Sequence, residues 1–423
     1  MNLRRNTIWN LAGSAIPLIP AAIFIPYLLS HLGNQSFGLL TLIWATIGYF
    51  SLFDMGVGRA LTYQLSKIRS TGSYSEISQT LRAGLLLTLG AGIAGAVLLY
   101  LIANALALSW LKISPDLQQD ALLSFKIAAI GVIPTTITSG LRGAQEGLGQ
   151  FSASNLNRIV IGCCMFLLPP LSIMIHGSHL WIITLYLIIA RVIVAIVAII
   201  QLRTYLFTSS ADYSKEHLSS LLNYGVWITV TGIIGPMMVY GDRFFVSAAI
   251  GASLLPFYAI PQEGLQRLLI IPGAISGALL PQMTTLDKQS MVDIYKRCYK
   301  RVAILMFGIC LFASLFAYPV LSWWISIKFA QTALPVTIIL SLGIWLNSIA
   351  SIPYTLLHAN GNPRLTAVFH LLELVFYAFI LWFLAKNFGL KGAASAWVIR
   401  VSIDLILLNI SANRLIKATY ENT

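Results

Sequence analysis

From Ala83 to Asn104 the chain runs AGLLLTLGAGIAGAVLLYLIAN, twenty-two residues without one Lys, Arg, Asp or Glu. At a helical rise of ~1.5 Å per residue, that stretch matches the ~30 Å hydrocarbon core of a bilayer. Runs of this kind recur along the whole sequence. Their approximate limits are 8–30, 37–62, 83–104, 122–142, 157–176, 180–202, 222–248, 254–281, 302–326, 332–357, 365–385 and 391–412, twelve in 423 residues. Ordinary soluble domains carry about 25% charged residues; this chain carries 10%. Too little polar material remains to cover a water-exposed globule, so the solvent is lipid and the fold is all-α integral membrane.

The positions of Lys and Arg set the orientation. With the N-terminus inside, seventeen basic residues fall in cytoplasmic segments, Arg4, Arg5, Arg142 and Arg158 among them, against five on the other side. Both termini are therefore expected in the cytoplasm. The net charge of +13 could suggest nucleic acid, but the basic residues are scattered between apolar runs, as membrane topology requires. The most basic loop, KQSMVDIYKRCYKR (288–301), suits contact with anionic lipid headgroups. The N-terminal run is too long and too rich in proline (Pro17, Pro20, Pro26) for a cleaved signal peptide, so it reads as a retained first span. Cys163, Cys164, Cys298 and Cys310 fit no zinc or redox spacing and read as small apolar fillers.

The sequence also repeats. A shift of 218 residues sets Trp9 on Trp227, Gly33 on Gly251, Ala60 on Ala278 and Leu61 on Leu279, and a shift of 214 sets Gly147 on Gly361 and Ala153 on Ala367. Two six-helix lobes follow, 1–210 and 211–423, related by a parallel repeat because an even number of spans returns the chain to the same side.

Signatures of covalent chemistry are absent: there is no GxxxxGK[ST], HExxH or GxSxG. A GxGxxG does occur, GAGIAG at 90–95, but within an apolar run and without the strand a dinucleotide site needs. Its glycines are expected to admit a neighbouring helix closely.

The informative residues are charges inside spans, because each costs at least about 2.5–3.5 kcal/mol to place at bilayer depth. They are Asp54, Arg59, Arg191, Asp242, Arg243, Glu263, Arg267, Glu373, Arg400 and Asp404. Glu263 with Arg267, and Arg400 with Asp404, stand four apart and share a helix face. Each pair is either an internal salt bridge or part of a transport path. Arg267, Arg243 and Arg191 are the candidates for an anionic substrate. Glu263, Glu373 and Asp404 are candidates for coupling to a proton or sodium ion, with His370 one turn before Glu373. No other cofactor is expected. Prolines concentrate in span one (Pro17, Pro20 and Pro26), in span seven (Pro236, after Gly235) and in span eight (Pro256, Pro261 and Pro272), as in the broken helices that line transport paths. In FDMGVGRA (53–60), Asp54 and Arg59 lie near the cytoplasmic edge of span two and are candidates for a cytoplasmic gate.

The segment YLLSHLGNQSFGLLTLIWATIGYFSLFDMGVGRALTYQLSK (27–67) resembles the second-helix region of the polysaccharide transporter family, the Wzx-type O-antigen flippases of the MOP superfamily. RRNTIWNLAGSAI, YGDRFFVSAAIG (240–251), YAIPQEGLQRLLIIP and LLHANGNPRLTAV (356–368) are similar too. The resemblance implies two six-helix lobes around a central cavity that opens alternately to each side of the bacterial inner membrane. It implies a substrate as well, an undecaprenyl-pyrophosphate-linked oligosaccharide handed on to the polysaccharide polymerase and chain-length machinery. Arginine suits the pyrophosphate because its planar fork binds phosphate oxygens in pairs and stays charged. The intramembrane charges nearly balance, five basic against five acidic, so a strongly cationic cavity is not expected from the sequence. Two rivals stand beside this reading. A multidrug exporter of the same superfamily would want an acid in the first lobe, and span one has none. A membrane glycosyltransferase or polymerase would want a large loop with charged catalytic residues, and every loop here is short.

Overall fold

A computed structural model describes residues 9, 12–50, 56–71, 74–206, 238, 241–283 and 287–421. The described residues are helical without a single strand, and they divide into two compact units, 1–241 and 242–423. The expected lobe boundary at 210/211 and Asp54 lie outside the described residues.

The first unit contains α1 (Leu18–Phe50), α2 (Val57–Thr71), α3 (Tyr74–Ala105), α4 (Pro115–Gly147), α5 (Phe151–His176), α6 (Leu180–Gln201) and the single turn α7 (Arg203–Leu206). The second contains α8 (Asp242–Ile250), α9 (Pro256–Gln266), α10 (Ile270–Met283), α11 (Lys288–Trp324), α12 (Ile327–Ala359) and α13 (Pro363–Glu421). Eight helices among the described residues are long and apolar enough to cross a membrane. Their outer faces are apolar: Trp323 is 88% exposed and Met174 77%. In water such faces would be costly; in lipid they meet their own kind.

Two of these eight are not straight. Helix α13 breaks at Gly389 (φ 62°), yet His370 and Asp404 approach to 3.9 Å. Thirty-four residues of straight helix would hold them about 51 Å apart. The chain therefore doubles back at Gly389, where the sequence separates spans eleven and twelve. Helix α1 does the same at Gly33 (φ 72°). Neighbouring turns of α5 meet residues on both sides of that break: Gly162 lies against Pro17, and Phe166 packs edge-on against Trp44 at 5.2 Å.

The turning glycines recur at nearly the interval that the sequence repeat has. Gly33, Gly149, Gly177, Gly251, Gly361 and Gly389 all take positive φ, a region that costs other residues about 1 kcal/mol or more. They pair at offsets of 218 (Gly33 with Gly251) and 212 (Gly149 with Gly361, Gly177 with Gly389), so by backbone conformation Gly361 matches Gly149 and not the Gly147 of the 214 shift. Each pair falls at the same boundary in the two series of spans expected from the sequence.

Helix ends are satisfied by side chains at a distance. Asp120 of α4 accepts from the Leu180 and Trp181 amides at 2.8 and 3.1 Å and so caps α6. Arg82 donates to the Leu206 carbonyl at 2.7 Å and closes α7. Asp287 and Ser326 cap α11 and α12 directly.

Glycine also sets the packing of the first unit. A Cβ on Gly143 of α4 would overlap the Gly58 carbonyl, and Thr62 donates to the Gly143 carbonyl at 2.9 Å, so α2 and α4 touch backbone to backbone. Within GAGIAG, Gly92 serves the same close approach, because a Cβ there would strike Thr136, while Gly90 faces open space. Span two differs from the continuous helix expected over 37–62. Gly56 (φ 67°) interrupts it, and α2 starts afresh at Val57. In span eight the helix tightens to a 3₁₀ turn at Arg267–Leu269 between α9 and α10.

Candidate functional site

Two groups of polar residues lie among these apolar helices, one in each unit. In the first unit a cavity of about 270 Å³ opens between α4, α5 and α6. Helix α4 presents Thr135, Thr138, Arg142 and Gln145, α5 presents Ser154, Asn157 and Arg158, and α6 presents Arg191. Spacings of three, four and seven place each set on one helical face.

The cavity wall is held by amides. Gln145 and Asn157 both donate to the Gln201 carbonyl oxygen, at 2.6 and 2.9 Å. Arg142 bonds to Glu146 at 2.8 Å, and Ser154 donates to the same carboxylate at 3.1 Å. Arg191 is half-buried, and no other described residue offers it an ion pair or hydrogen bond. Among the described residues, three arginines stand here against one acid, Glu146, which makes the pocket cationic. Arg142 and Arg158 read from sequence as topology residues. The detectable signal was their helical register with Thr135, Thr138, Gln145, Ser154 and Asn157.

The second unit holds a buried network. Asp242, at the first turn of α8, accepts from the Tyr258 hydroxyl at 2.8 Å and from the Gln262 amide at 2.5 Å. Its neighbour Arg243 is 1% exposed and bonds to Glu263 at 2.9 Å. Glu263 thus turns to α8 and not to Arg267, which stands exposed on the 3₁₀ turn. Of the two readings open for Glu263 and Arg267, the internal salt bridge is not the one found here, since Glu263 bonds to Arg243.

Further along, the two arms of α13 bring His370, Glu373 and Asp404 together, with one ligand atom of each within 4.8 Å of the others. The Arg400 guanidinium lies over the Tyr377 ring at 5.7 Å. Of the sequence candidates, Arg191 lines the cationic cavity, Arg243 and Glu263 pair with each other, and Glu373 joins Asp404. Arg267 and Arg59 are exposed.

Known proteins share both sequence and fold with this chain. Residues 3–287 match the family described as polysaccharide biosynthesis protein. A Shigella flexneri protein named "Putative O-antigen transporter" is 32% identical over 427 residues, covering 100% of both chains. Among solved structures, an inward-facing multidrug resistance MATE family transporter of the MOP superfamily aligns with a TM-score of 0.78 and 14% identity, over 99% of this chain and 96% of that one. A MOP superfamily transporter from Pyrococcus furiosus aligns at 0.67 and 14% identity, over 99% and 95%. At such identities the structures establish a shared fold.

Proposed function

The chain belongs to the polysaccharide biosynthesis protein family, and we propose that it flips undecaprenyl-pyrophosphate-linked oligosaccharide repeat units, O-antigen or a similar surface polysaccharide, from the cytoplasmic to the periplasmic leaflet. It is a multi-pass protein of the bacterial cytoplasmic membrane, a transporter and not an enzyme. The observation that carries the proposal is the cationic cavity of the first unit. Arg142, Arg158 and Arg191, with the amides of Gln145 and Asn157, offer charged and neutral donors around a space of about 270 Å³.

A pyrophosphate carries its charge on oxygens that accept several hydrogen bonds at once, and guanidinium forks match them. The neighbouring hydroxyls of Thr135, Thr138 and Ser139 suit the glycan. The lipid tail stays in the bilayer, so only the head group crosses. A cationic wall also disfavours an organic cation as cargo.

Twelve spans in two six-helix lobes, with both termini cytoplasmic, would alternate access to this head group. A proton or sodium gradient drives the cycle through Glu263, Glu373 and Asp404. Deleting the chain tests the function: lipid-linked repeat units should accumulate on the cytoplasmic leaflet and surface polysaccharide should disappear. Unchanged surface polysaccharide in the deletion strain would refute the proposal.

A further inference from the structure

We propose that the indole N–H of Trp44 is a second donor to the pyrophosphate that Arg191 binds, the two side chains flanking a small crevice beside the cationic cavity of the first unit. The inference rests on the flippase reading above and adds to its site a binding residue that carries no charge.

Trp44 lies on α1, in the arm that follows the turn at Gly33. It is 6% exposed, and the rings of Phe37 and Phe166 meet it edge-on at 6.0 and 5.2 Å. Those two contacts fix the indole in place. Its Nε1, however, is buried and has no hydrogen-bond acceptor among the described residues. An indole N–H can only donate, and a buried donor without a partner forfeits its hydration with nothing in return. Packing alone would be met by a wholly apolar ring, so the N–H calls for an acceptor from elsewhere.

The crevice shows where that acceptor would stand. Trp44 and Ile47 of α1, Ile161 and Met165 of α5, and Leu187 and Arg191 of α6 line a space of about 10 Å³. Ile161 and Arg191 also line the cavity of about 270 Å³, so one guanidinium serves both spaces. On α5 a single helical stripe, Ser154, Asn157, Arg158, Ile161 and Met165, leads from the polar donors of the cavity to the apolar wall of the crevice.

Size and polarity decide what can enter. A space of ~10 Å³ holds about one water-sized sphere. An isoprene unit or a sugar ring is several times too large, whereas a single phosphoryl oxygen fits. The strong polar groups in the wall are the indole N–H and the guanidinium, both of them donors. They favour an occupant that only accepts, and a phosphate oxygen accepts several hydrogen bonds while carrying negative charge. The pyrophosphate of the substrate would then stand at Arg191, with one oxygen reaching Trp44 and the glycan in the larger cavity.

The test measures binding by full-length protein in detergent, without transport. Undecaprenyl pyrophosphate and undecaprenol are titrated in mixed micelles, and inorganic pyrophosphate serves as a competitor. Two replacements remove the donor. Trp44→Phe keeps an aromatic ring, and 3-benzothienylalanine incorporated at position 44 keeps the full ring size with sulfur in place of N–H. The second carries the comparison if Trp44→Phe fails to fold. Wild type should prefer the pyrophosphate lipid to the alcohol, and inorganic pyrophosphate should compete only weakly. Each replacement should weaken binding of the pyrophosphate lipid about tenfold and leave that of undecaprenol unchanged. Equal binding of the pyrophosphate lipid by wild type and folded variants, or equal loss for both lipids, would overturn the role of Trp44 and leave the flippase reading standing. A wild type that binds both lipids alike, or binds inorganic pyrophosphate as tightly as the lipid, would overturn both.

Discussion

Arg243 and Glu263 are joined at 2.9 Å across twenty residues of sequence, with the guanidinium 1% exposed. The bond ties the start of α8 to the middle of α9. It makes Arg243 a structural cation, in contrast to the half-buried Arg191. Removing one partner of a buried pair costs about 3–5 kcal/mol because the other charge is left without compensation. Glu263→Leu should therefore lower the melting temperature of the purified protein and its membrane yield.

Arg191→Ala should behave in the opposite way. No described residue pairs with Arg191, so its removal orphans none of them and the amount of protein in the membrane should be unchanged. A hydrogen bond to a charged group contributes about 1.5–3 kcal/mol, so head-group affinity should fall tenfold to a hundredfold. Arg191→Lys should recover part of the loss, since it keeps the charge without the fork. Immunoblotting of membranes beside a surface-polysaccharide assay reads both effects.

The glycines of GAGIAG make a paired prediction. Gly92→Ala places a methyl against Thr136 and Ile133, whereas Gly90→Ala enters open space. Overpacking costs about 1–3 kcal/mol, so Gly92→Ala should lower the melting temperature and Gly90→Ala should leave it near wild type or above. Equal effects at the two positions would contradict the packing of α3 on α4.

A pH effect is expected at the start of α11. The Ser290 backbone amide, donating at 3.0 Å, holds the Asp287 carboxyl below its ordinary range. A depressed folded value stabilises the folded state above the unfolded value, and that contribution fades as pH falls through the folded one. The melting temperature of wild type should exceed that of Asp287→Ala at neutral pH, and the difference should shrink in acid.

Much of this architecture is legible in the sequence because lipid imposes it. A bilayer of fixed thickness demands apolar runs of fixed length, so the runs at 83–104, 122–142 and 157–176 fall within α3, α4 and α5, and the run at 180–202 overshoots α6 by one residue. The turn at Gly33 and its partner Gly251 were likewise visible as one aligned pair. Polar sites were less legible. Hydropathy records that Arg142 and Arg158 end apolar runs, which suits snorkelling to headgroups as well as lining a cavity. Only the placement of α4 beside α5 and α6 brings them to Arg191. The same limit hides the pairing of Glu263, since a four-residue spacing to Arg267 holds on an unbroken helix, and α9 ends at Gln266. His370 and Asp404 meet because Gly389 turns the chain, a contact no local pattern encodes.

Reconstitution tests the central claim most directly. Proteoliposomes holding wild type or Arg191→Ala would be loaded with an undecaprenyl-pyrophosphate-linked repeat unit, and glycan reaching the opposite leaflet would be read with a membrane-impermeant lectin. Wild type should move the glycan, and Arg191→Ala should move it at least tenfold more slowly at limiting substrate. Equal rates for the two proteins, or no movement beyond empty liposomes, would contradict the account.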